Sequence, residues 1–447
     1  MTQQELRVGF VPIARTTFDM ALAEQVTRAA HDQLTQAGFA VAGPAAPATT
    51  PEAARAALDV LGPAPDVVIL FQATFADSSM ALEVARAVQA PLLLWAVPEA
   101  HTGERLRLNA LCGINLAAHA LTRAGLRYQH IYAAPGDAAV ARKVGALARA
   151  GRARRALRGV RIGCAGQRPV GFETCDYDAE ALLAVFGVDV TAVSLETVFA
   201  AARQADAAAV AGVRAALAQR VSGLDALDQP ALDGTLGVYL ALRSAAQRDN
   251  LRGLAVRCWP EFFTDLGCAA CGAMSLLNDE RLPCGCEADV HGTITQLLLQ
   301  ELSGAPAFGT DLVSLDAERD GVVVWHCGQA PLAMADPDAV PTGTVHSNRR
   351  LPLLLQFPLK PGTVTVARLS AAAGGGLRLV VGRGEMLRAP MSFSGTSGVL
   401  RFERPATAVL DTIFSAGLEH HIALTYGDYV DALLALAELL ALPVLCL

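Results

Sequence analysis

Two carboxylates and two imidazoles stand in three short stretches of this sequence and could together bind one divalent metal ion. The stretches are CEADVHG from Cys286, the segment 308–328, and GLEHHIALTYGD from Gly417. The candidate ligands in them are Glu287, Asp311, His326 and His421. A mixed oxygen and nitrogen set suits a borderline-hard cation such as Mn²⁺ better than the all-thiolate set of many structural zinc sites. The set therefore indicates metal-assisted chemistry on an oxygen-rich substrate.

Spacing by itself does not establish this site, because Asp311 lies 24 residues after Glu287 and His421 lies 110 residues further on. The motifs nevertheless resemble those of the L-fucose/L-arabinose isomerase family. Members of that family carry a Glu in an E-x-D motif that opens a helix, and an acidic residue at a similar spacing after it. They also carry a C-terminal His that is preceded by His or Asn and followed by a strand and a Gly.

The resemblance implies roles for the candidate ligands. Glu287 and Asp311 would bind the metal and also transfer protons, and His421 would be the third ligand. His326 matches a histidine that binds the metal in the arabinose branch of the family but not in the fucose branch. Two interpretations therefore stay open for His326, a fourth ligand and a buried structural histidine. The expected cofactor is a divalent metal, with Mn²⁺ as the first choice.

The chain is shorter than the well-known sugar isomerases and resembles a compact branch of the family, in which isomerisation of sulfoquinovose is one known activity. The implied reaction is ketol isomerisation of an open-chain sugar through an enediolate. The metal would polarise the two sugar oxygens while carboxylates move a proton between two carbons. Two alternatives stay open: a sugar epimerase or lyase with the same metal site, and a non-catalytic sugar-binding protein.

Four further residues are candidates for substrate binding. Arg15 follows the first predicted strand, where open α/β sheets place ligand loops. The resemblance implies that this loop and Gln72 reach the site of a neighbouring subunit in a trimer-based homo-oligomer, often a hexamer. His420 could donate a hydrogen bond to a sugar hydroxyl. Trp259 could stack on a sugar face or lie in the core.

A basic loop, His346-Ser-Asn-Arg-Arg350, could bind an anionic group on the substrate. Arg349 and Arg350 are suited to this because a guanidinium binds an oxyanion through two parallel hydrogen bonds. The alternative is that both are solvated loop side chains. The first interpretation favours an acidic or sulfonated sugar.

The ten cysteines are expected to be reduced thiols, since the chain has no recognisable export signal. Four of them could form a structural zinc site: Cys268, Cys271, Cys284 and Cys286. The second pair is one residue closer than the usual spacing, and it adjoins Glu287. The favoured interpretation is therefore that they are buried small residues.

Composition argues against several classes of protein. The net charge of −7 and the pI of about 5.7 argue against a general nucleic-acid binder, which needs a basic surface. No run reaches the roughly 20 consecutive apolar residues that a membrane-spanning helix needs. The first residues lack the basic and apolar regions of a signal peptide, so a cytoplasmic location is expected.

The elements that must position these residues predict an α/β fold with three domains. Apolar strands alternate with helices over 1–155 and again over 156–335, which predicts two doubly wound parallel-sheet domains. The second of these would carry the metal ligands. From 336 to 447 short alternating runs, interrupted by Gly and Pro, predict a β-rich domain with a terminal helix. Its predicted strands are 351–357, 363–369, 377–382, 385–388 and 399–403.

Overall fold

A computed structural model of the chain describes residues 5–62, 64–372 and 374–447. Two compact units are distinguished in it. One runs up to Arg155 and includes Asp431–Leu439, and the other comprises Ala156–Val430 with Leu440–Leu447. The predicted fold class, parallel-sheet α/β domains followed by a β-rich part, is confirmed. The boundaries of the three predicted domains stay a prediction.

The first unit is built on a five-stranded parallel sheet with the order β2-β1-β3-β4-β5. Its strands are β1 (Arg7–Ile13), β2 (Ala40–Ala42), β3 (Val67–Gln72), β4 (Leu92–Ala96) and β5 (Gln129–Tyr132). Its helices are α1 (Met20–Gln36), α2 (Pro51–Ala56), α3 (Ser78–Ala87), α4 (Ala110–Arg123) and α5 (Ala138–Leu157). Strands β3 and β4 are buried along their whole length. Continuous burial is typical of a parallel sheet that is covered on both faces.

The second unit begins with a four-stranded parallel sheet in the order β7-β6-β8-β9. Its strands are β6 (Arg161–Ala165), β7 (Asp189–Val193), β8 (Gly253–Val256) and β9 (Cys284–Gly285). Its helices are α6 (Ala179–Phe186), α7 (Leu195–Arg203), α8 (Ala207–Ala218), α9 (Gln229–Arg248), α10 (Glu261–Thr264), α11 (Cys271–Asp279) and α12 (Val290–Ser303). Five of these helices begin at a side chain that accepts a hydrogen bond from the backbone N–H three residues on. These capping residues are Asp178, Ser194, Asp206, Asp228 and Asp289.

A nine-stranded, mostly antiparallel sheet forms the rest of the second unit, in the order β12-β13-β16-β11-β10-β17-β14-β15-β18. Its strands are β10 (Phe308–Asp316), β11 (Gly321–His326), β12 (Thr342–Thr344), β13 (Leu354–Pro358), β14 (Gly362–Ala371), β15 (Leu377–Leu387), β16 (Thr396–Phe402), β17 (His421–Tyr426) and β18 (Val444–Cys446). Helix α13 (Ala406–Ser415) also belongs to this unit, whereas nearly all of α14 (Val430–Leu440) belongs to the first unit. Because β15 also pairs with β16, six of the strands close into a ring. No helix in the described ranges has both the length and the apolar content to cross a membrane.

One strand prediction in this sheet is wrong. The segments 377–382 and 385–388 were expected to be separate strands, but they form the single strand β15. Gly384 lies inside this strand, where a Cβ atom would come within 2.7 Å of the carbonyl oxygen of Arg401 on β16. Gly384 therefore allows two strands to approach each other closely, and it does not form a turn.

Strand register places the candidate residues. Asp311 on β10 lies directly opposite His421 on β17 and, on its other side, opposite Trp325 on β11. Residues that face each other across an antiparallel pair point to the same side of the sheet. Phe308 and Leu424, further along the same two strands, are fully buried in the apolar core. This core fixes the strands that carry the polar pair.

Candidate active site

The register of β10 and β17 brings the first two candidate ligands together. The Nε2 atom of His421 lies 3.4 Å from Oδ1 of Asp311. His421 is buried, and Asp311 is partly buried. Residues 110 positions apart in sequence thus become neighbours because their strands are adjacent in the sheet.

Glu287 reaches the same imidazole from the parallel sheet. It lies in the short turn Cys286–Ala288 directly after β9, at the carboxyl end of a parallel strand, where α/β sheets place ligand-binding residues. Its backbone has a positive φ of 57°, which is uncommon for a residue other than glycine. Its Oε2 lies 3.8 Å from Nε2 of His421. Two carboxylates therefore approach one nitrogen atom.

Two donors hold the Glu287 carboxylate. The indole N–H of Trp259 donates to Oε1 at 3.0 Å, and Nε2 of His420 lies 3.1 Å from Oε2. Burial would raise the pKa of Glu287, but the hydrogen bond from His420, the neighbouring His421 imidazole and the hydrogen bond from Trp259 together lower it below its usual value. The site therefore keeps this carboxylate ionised.

Asp289 orients the His421 ring through a contact with Nδ1. Its Oδ2 lies 2.9 Å from Nδ1 of His421, while its Oδ1 accepts the N–H of Gly292 and so caps α12. The charge of Arg368 and the hydrogen bond from His421 outweigh burial and hold the pKa of Asp289 well below its usual range. An ionised carboxylate can only accept, so Nδ1 of His421 carries a hydrogen. In the neutral ring this leaves Nε2, the atom that faces Asp311 and Glu287, available as a metal ligand.

The donor set fits a divalent cation. Oδ1 of Asp311 is buried and has no hydrogen-bond partner among the described residues, although it faces Nε2 of His421. A buried, unpaired carboxylate oxygen is costly, and a bound cation would satisfy it. Two carboxylates and one neutral imidazole nitrogen are ligands that Mn²⁺ accepts.

In the described ranges, two groups of residues could each hold a metal ion, because the ligand atoms within each group all lie within 4.8 Å of one another. Both groups include His421. One group contains Asp311 and His420, and the other contains Glu287 and Cys175, so neither group contains both Glu287 and Asp311. Burial and the nearby charges of Asp289 and Glu287 raise the pKa of the Cys175 thiol. The first group offers only oxygen and nitrogen, whereas the second adds one soft sulfur.

His326 lies beside these residues but in neither group. Its ring is stacked at 5.9 Å from that of His421, and it is buried. Its Nδ1 accepts the backbone N–H of Cys327 at 2.8 Å. In a neutral ring the hydrogen then resides on Nε2, which favours a hydrogen-bond donor over a metal ligand.

The predicted anion-binding loop adjoins Trp259. The guanidinium carbon of Arg349 lies 5.1 Å from the centroid of the Trp259 ring and 4.9 Å from that of the Phe263 ring. Buried His346 supports the loop, because its Nδ1 accepts the backbone N–H groups of Asn348 and Arg349. Burial, followed by the charges of Arg349 and His326, lowers the pKa of His346 to about 4. Arg350 is exposed in the same loop.

Two predicted substrate-binding residues belong to the first unit. Arg15 is exposed just after β1, with its guanidinium carbon 5.9 Å from the centroid of Phe75. Gln72 ends β3 and is buried, and its Nε2 donates to the carbonyl oxygen of Thr74. Their contribution to a neighbouring subunit stays a prediction.

The four cysteines of the alternative zinc site have other neighbours. The Sγ of Cys286 lies 2.9 Å from that of Cys258, and the Sγ of Cys271 lies 3.5 Å from that of Cys327. Neither metal-capable group found in the described ranges contains any of the four. All four are buried, as the favoured interpretation expected.

Three residues of the site were missed by sequence reasoning: Thr174, Cys175 and Arg368. Thr174 and Cys175 lie in a short turn after β6, and the position of that turn after a parallel strand was an available signal. Arg368 was detectable as a charged residue inside the apolar run of β14. A charge at a buried strand position needs a buried partner, here Asp289.

The fold and this site define the class of the protein. Residues 9–158 match the family described as "Fucose/sulfoquinovose isomerase, N-terminal domain", and residues 355–447 match "L-fucose isomerase, C-terminal domain". The chain belongs to this isomerase family and is an isomerase, so the family resemblance and the enzyme class predicted from sequence are confirmed.

Three relatives named sulfoquinovose isomerase are each 32% identical to this chain. The protein of Alkalicoccus urumqiensis aligns over 98% of this chain and 99% of its own length. Those of Priestia megaterium and of a Clostridium species align over 98% of both chains. The likeness thus extends over nearly the whole length rather than over one domain.

Proposed function

We propose that this protein is a metal-dependent aldose–ketose isomerase that acts on the open-chain form of sulfoquinovose. The named relatives and the stacked guanidinium of Arg349 support the substrate. The observation that carries the metal dependence is the buried Oδ1 of Asp311, which has no hydrogen-bond partner among the described residues and faces Nε2 of His421. A cytoplasmic location and assembly into a trimer-based homo-oligomer both stay predictions.

Glu287, Asp311 and His421 would hold the ion, with Mn²⁺ as the first choice because the set lacks a thiolate. His326 stays a prediction as a fourth ligand, and its Nε2–H favours a hydrogen bond to the sugar instead. When bound, a divalent cation polarises the two sugar oxygens at C1 and C2 as a Lewis acid and lowers the barrier to proton removal.

The carboxylates of the chain would transfer the proton. Isomerisation takes a proton from one of these two carbons and returns it to the other, so it needs a general base that becomes a general acid. Glu287 is kept ionised by Trp259 and His420, which fixes its position as well as its charge. Asp311 is the second candidate, since its side chain is 21% exposed and can face a sugar.

The sulfonate would bind at the Arg349 loop. When a guanidinium lies over aromatic rings, the N–H groups at the edge of the guanidinium plane stay available to bind an oxyanion. Arg350 stays a prediction as a second anion-binding residue. Trp259 is in contact with both Arg349 and Glu287, so it would lie between the charged end of the sugar and the reacting carbons.

The proposal is tested by incubating the protein with Mn²⁺ and a panel of aldoses, including sulfoquinovose, in deuterium oxide. We expect a ketose that carries solvent deuterium on the carbon that receives the proton. An epimer as sole product would identify an epimerase, and binding without exchange would identify a sugar-binding protein. Either result would overturn the proposal.

Glu287→Gln provides the matched variant, because it keeps the shape of the side chain and removes the base. Turnover should fall by about 10²–10⁴-fold, the usual contribution of general acid–base catalysis. Glu301→Gln is the control, since Glu301 pairs with Arg252 at the surface end of α12. Near-normal turnover in Glu287→Gln would remove this carboxylate from the mechanism.

A further inference from the structure

A buried arginine lies behind the two adjacent histidines. Arg368, on β14, is 1% exposed, and its two terminal nitrogens bind both carboxylate oxygens of Asp289, one of them at 3.1 Å. Asp289 in turn holds Nδ1 of His421 at 2.9 Å. Arg368 thus acts on His421 through one intermediate carboxylate.

The same guanidinium also reaches the other histidine. Its Nη2 donates to the backbone carbonyl oxygen of Thr174 at 3.3 Å, and the hydroxyl of Thr174 lies 2.9 Å from Nδ1 of His420. Its Nε lies 3.8 Å from Oε2 of Glu419, which directly precedes the histidine pair. Three separate chain segments therefore meet on one side chain.

When both rings are neutral, these contacts favour opposite tautomers. His421 donates from Nδ1 to the Asp289 carboxylate, which leaves Nε2 as an acceptor or ligand. His420 donates from Nε2 to the Glu287 carboxylate, which leaves Nδ1 to accept from the Thr174 hydroxyl. A histidine takes the tautomer that its hydrogen-bond partners impose, so Asp289 fixes the tautomer of His421. Glu287 fixes that of His420, and the Thr174 hydroxyl supports it when it donates to Nδ1.

We propose that Arg368 is the positioning residue that sets the opposite tautomers of His420 and His421. It fixes Asp289 and Thr174 at once through a planar group with several fixed donors. A lysine cannot reproduce this, because its ammonium is a point charge without the planar fork. The effect on metal binding rests on the proposed function, in which His421 is a ligand, whereas the effect on the tautomers does not.

Arg368→Lys is the test variant, because it keeps the buried positive charge. Imidazole ¹⁵N spectra of protein labelled at its nine histidines report the tautomers, and Mn²⁺ titration calorimetry reports the affinity. We expect wild-type protein to show one Nδ1–H and one Nε2–H ring at this pair. In Arg368→Lys this pattern should be lost and Mn²⁺ affinity should fall by about 10- to 100-fold, the usual effect of losing a group that orients a ligand.

Arg378→Lys is the matched control. Arg378 lies on the neighbouring strand β15 and binds Ser370 and the carbonyl oxygen of Ala416. It should keep the wild-type tautomers and Mn²⁺ affinity even if its melting temperature falls as far as that of Arg368→Lys. Addition of methylguanidinium to Arg368→Ala should restore Mn²⁺ binding, if that variant folds.

Unchanged tautomers in Arg368→Lys would overturn the proposal, whatever the variant does to stability. If wild-type protein shows the opposite tautomers but binds no Mn²⁺, the metal-dependent function fails and the role of Arg368 stands. The ¹⁵N spectra thus test the role of Arg368, and the Mn²⁺ titration tests the metal-dependent function.

Discussion

At the scale of single residues, contacts connect the proposed anion-binding loop to the carboxylate that would transfer the proton. Arg349 stacks on Trp259, and Trp259 donates a hydrogen bond to Glu287. A sulfonate held by Arg349 would therefore fix the sugar relative to Glu287. Charged recognition far from the reacting carbons contributes to catalysis by positioning them.

Arg349→Ala should raise KM for sulfoquinovose by about 10- to 100-fold, because a hydrogen bond to a charged group contributes about 1.5–3 kcal/mol. Steady-state kinetics on sulfoquinovose and on a neutral aldose would measure the effect. KM for the neutral sugar should stay unchanged. Arg319→Ala is the matched control, since it removes the same charge from an exposed turn, where Arg319 pairs with Asp316. Equal effects of Arg349→Ala on both sugars would contradict the assignment of Arg349.

Sequence motifs predicted some of these residues but not their partners. Glu287, Asp311 and His421 could be proposed because they carry the family motifs. Arg368 could be noticed as a charge within an apolar strand, but its partner could not be predicted. The pairing with Asp289 depends on strand β14 lying beside the start of α12, a contact that no local pattern contains. Likewise, Asp289, the acidic residue that ends the E-x-D motif, both caps α12 and holds His421, a double role that the motif alone does not indicate.

At the scale of elements, close packing of helices supports the parallel sheet that carries Glu287. Helices α7 and α9 meet at Gly237, where a Cβ atom would lie 2.6 Å from the backbone carbonyl oxygen of Ala202. Gly212, on the neighbouring α8, is exposed and has nothing within 4 Å of that position. A methyl group would therefore clash with backbone at Gly237, whereas it would fit at Gly212.

Gly237→Ala should lower the free energy of unfolding by about 1–3 kcal/mol, the usual cost of overpacking, because backbone cannot move aside as a flexible side chain can. Gly212→Ala should leave it unchanged or raise it by up to about 1 kcal/mol, since alanine favours a helix. Denaturant unfolding of both variants measures the difference. Equal stability of the two variants would show that α7 and α9 do not pack this closely.

Periodicity predicted the elements better than their pairing. Central strands of the parallel sheets, such as β3 and β8, were predictable as apolar runs between helices, because they are buried along their whole length. The single strand β15 was not, since an interior glycine that permits close strand contact resembles a turn signal in sequence. The ring of six strands depends on the pairing of β15 with β16, which is a long-range property.

At the scale of the whole molecule, the proposed ligands come from two different sheets of the second unit. Glu287 follows β9 of the parallel sheet, while Asp311 and His421 lie on β10 and β17 of the antiparallel one. The ion would therefore connect the two sheets. Because a ligand that binds only the folded state stabilises it, Mn²⁺ should also stabilise this part of the fold.

The most direct measurement is anomalous X-ray diffraction from crystals of the protein soaked in Mn²⁺. We expect one strong peak per chain, within coordination distance, roughly 2–2.5 Å, of a carboxylate oxygen of Glu287, one of Asp311, and Nε2 of His421. A peak elsewhere, or none at saturating Mn²⁺, would contradict the central claim that these three side chains share one ion.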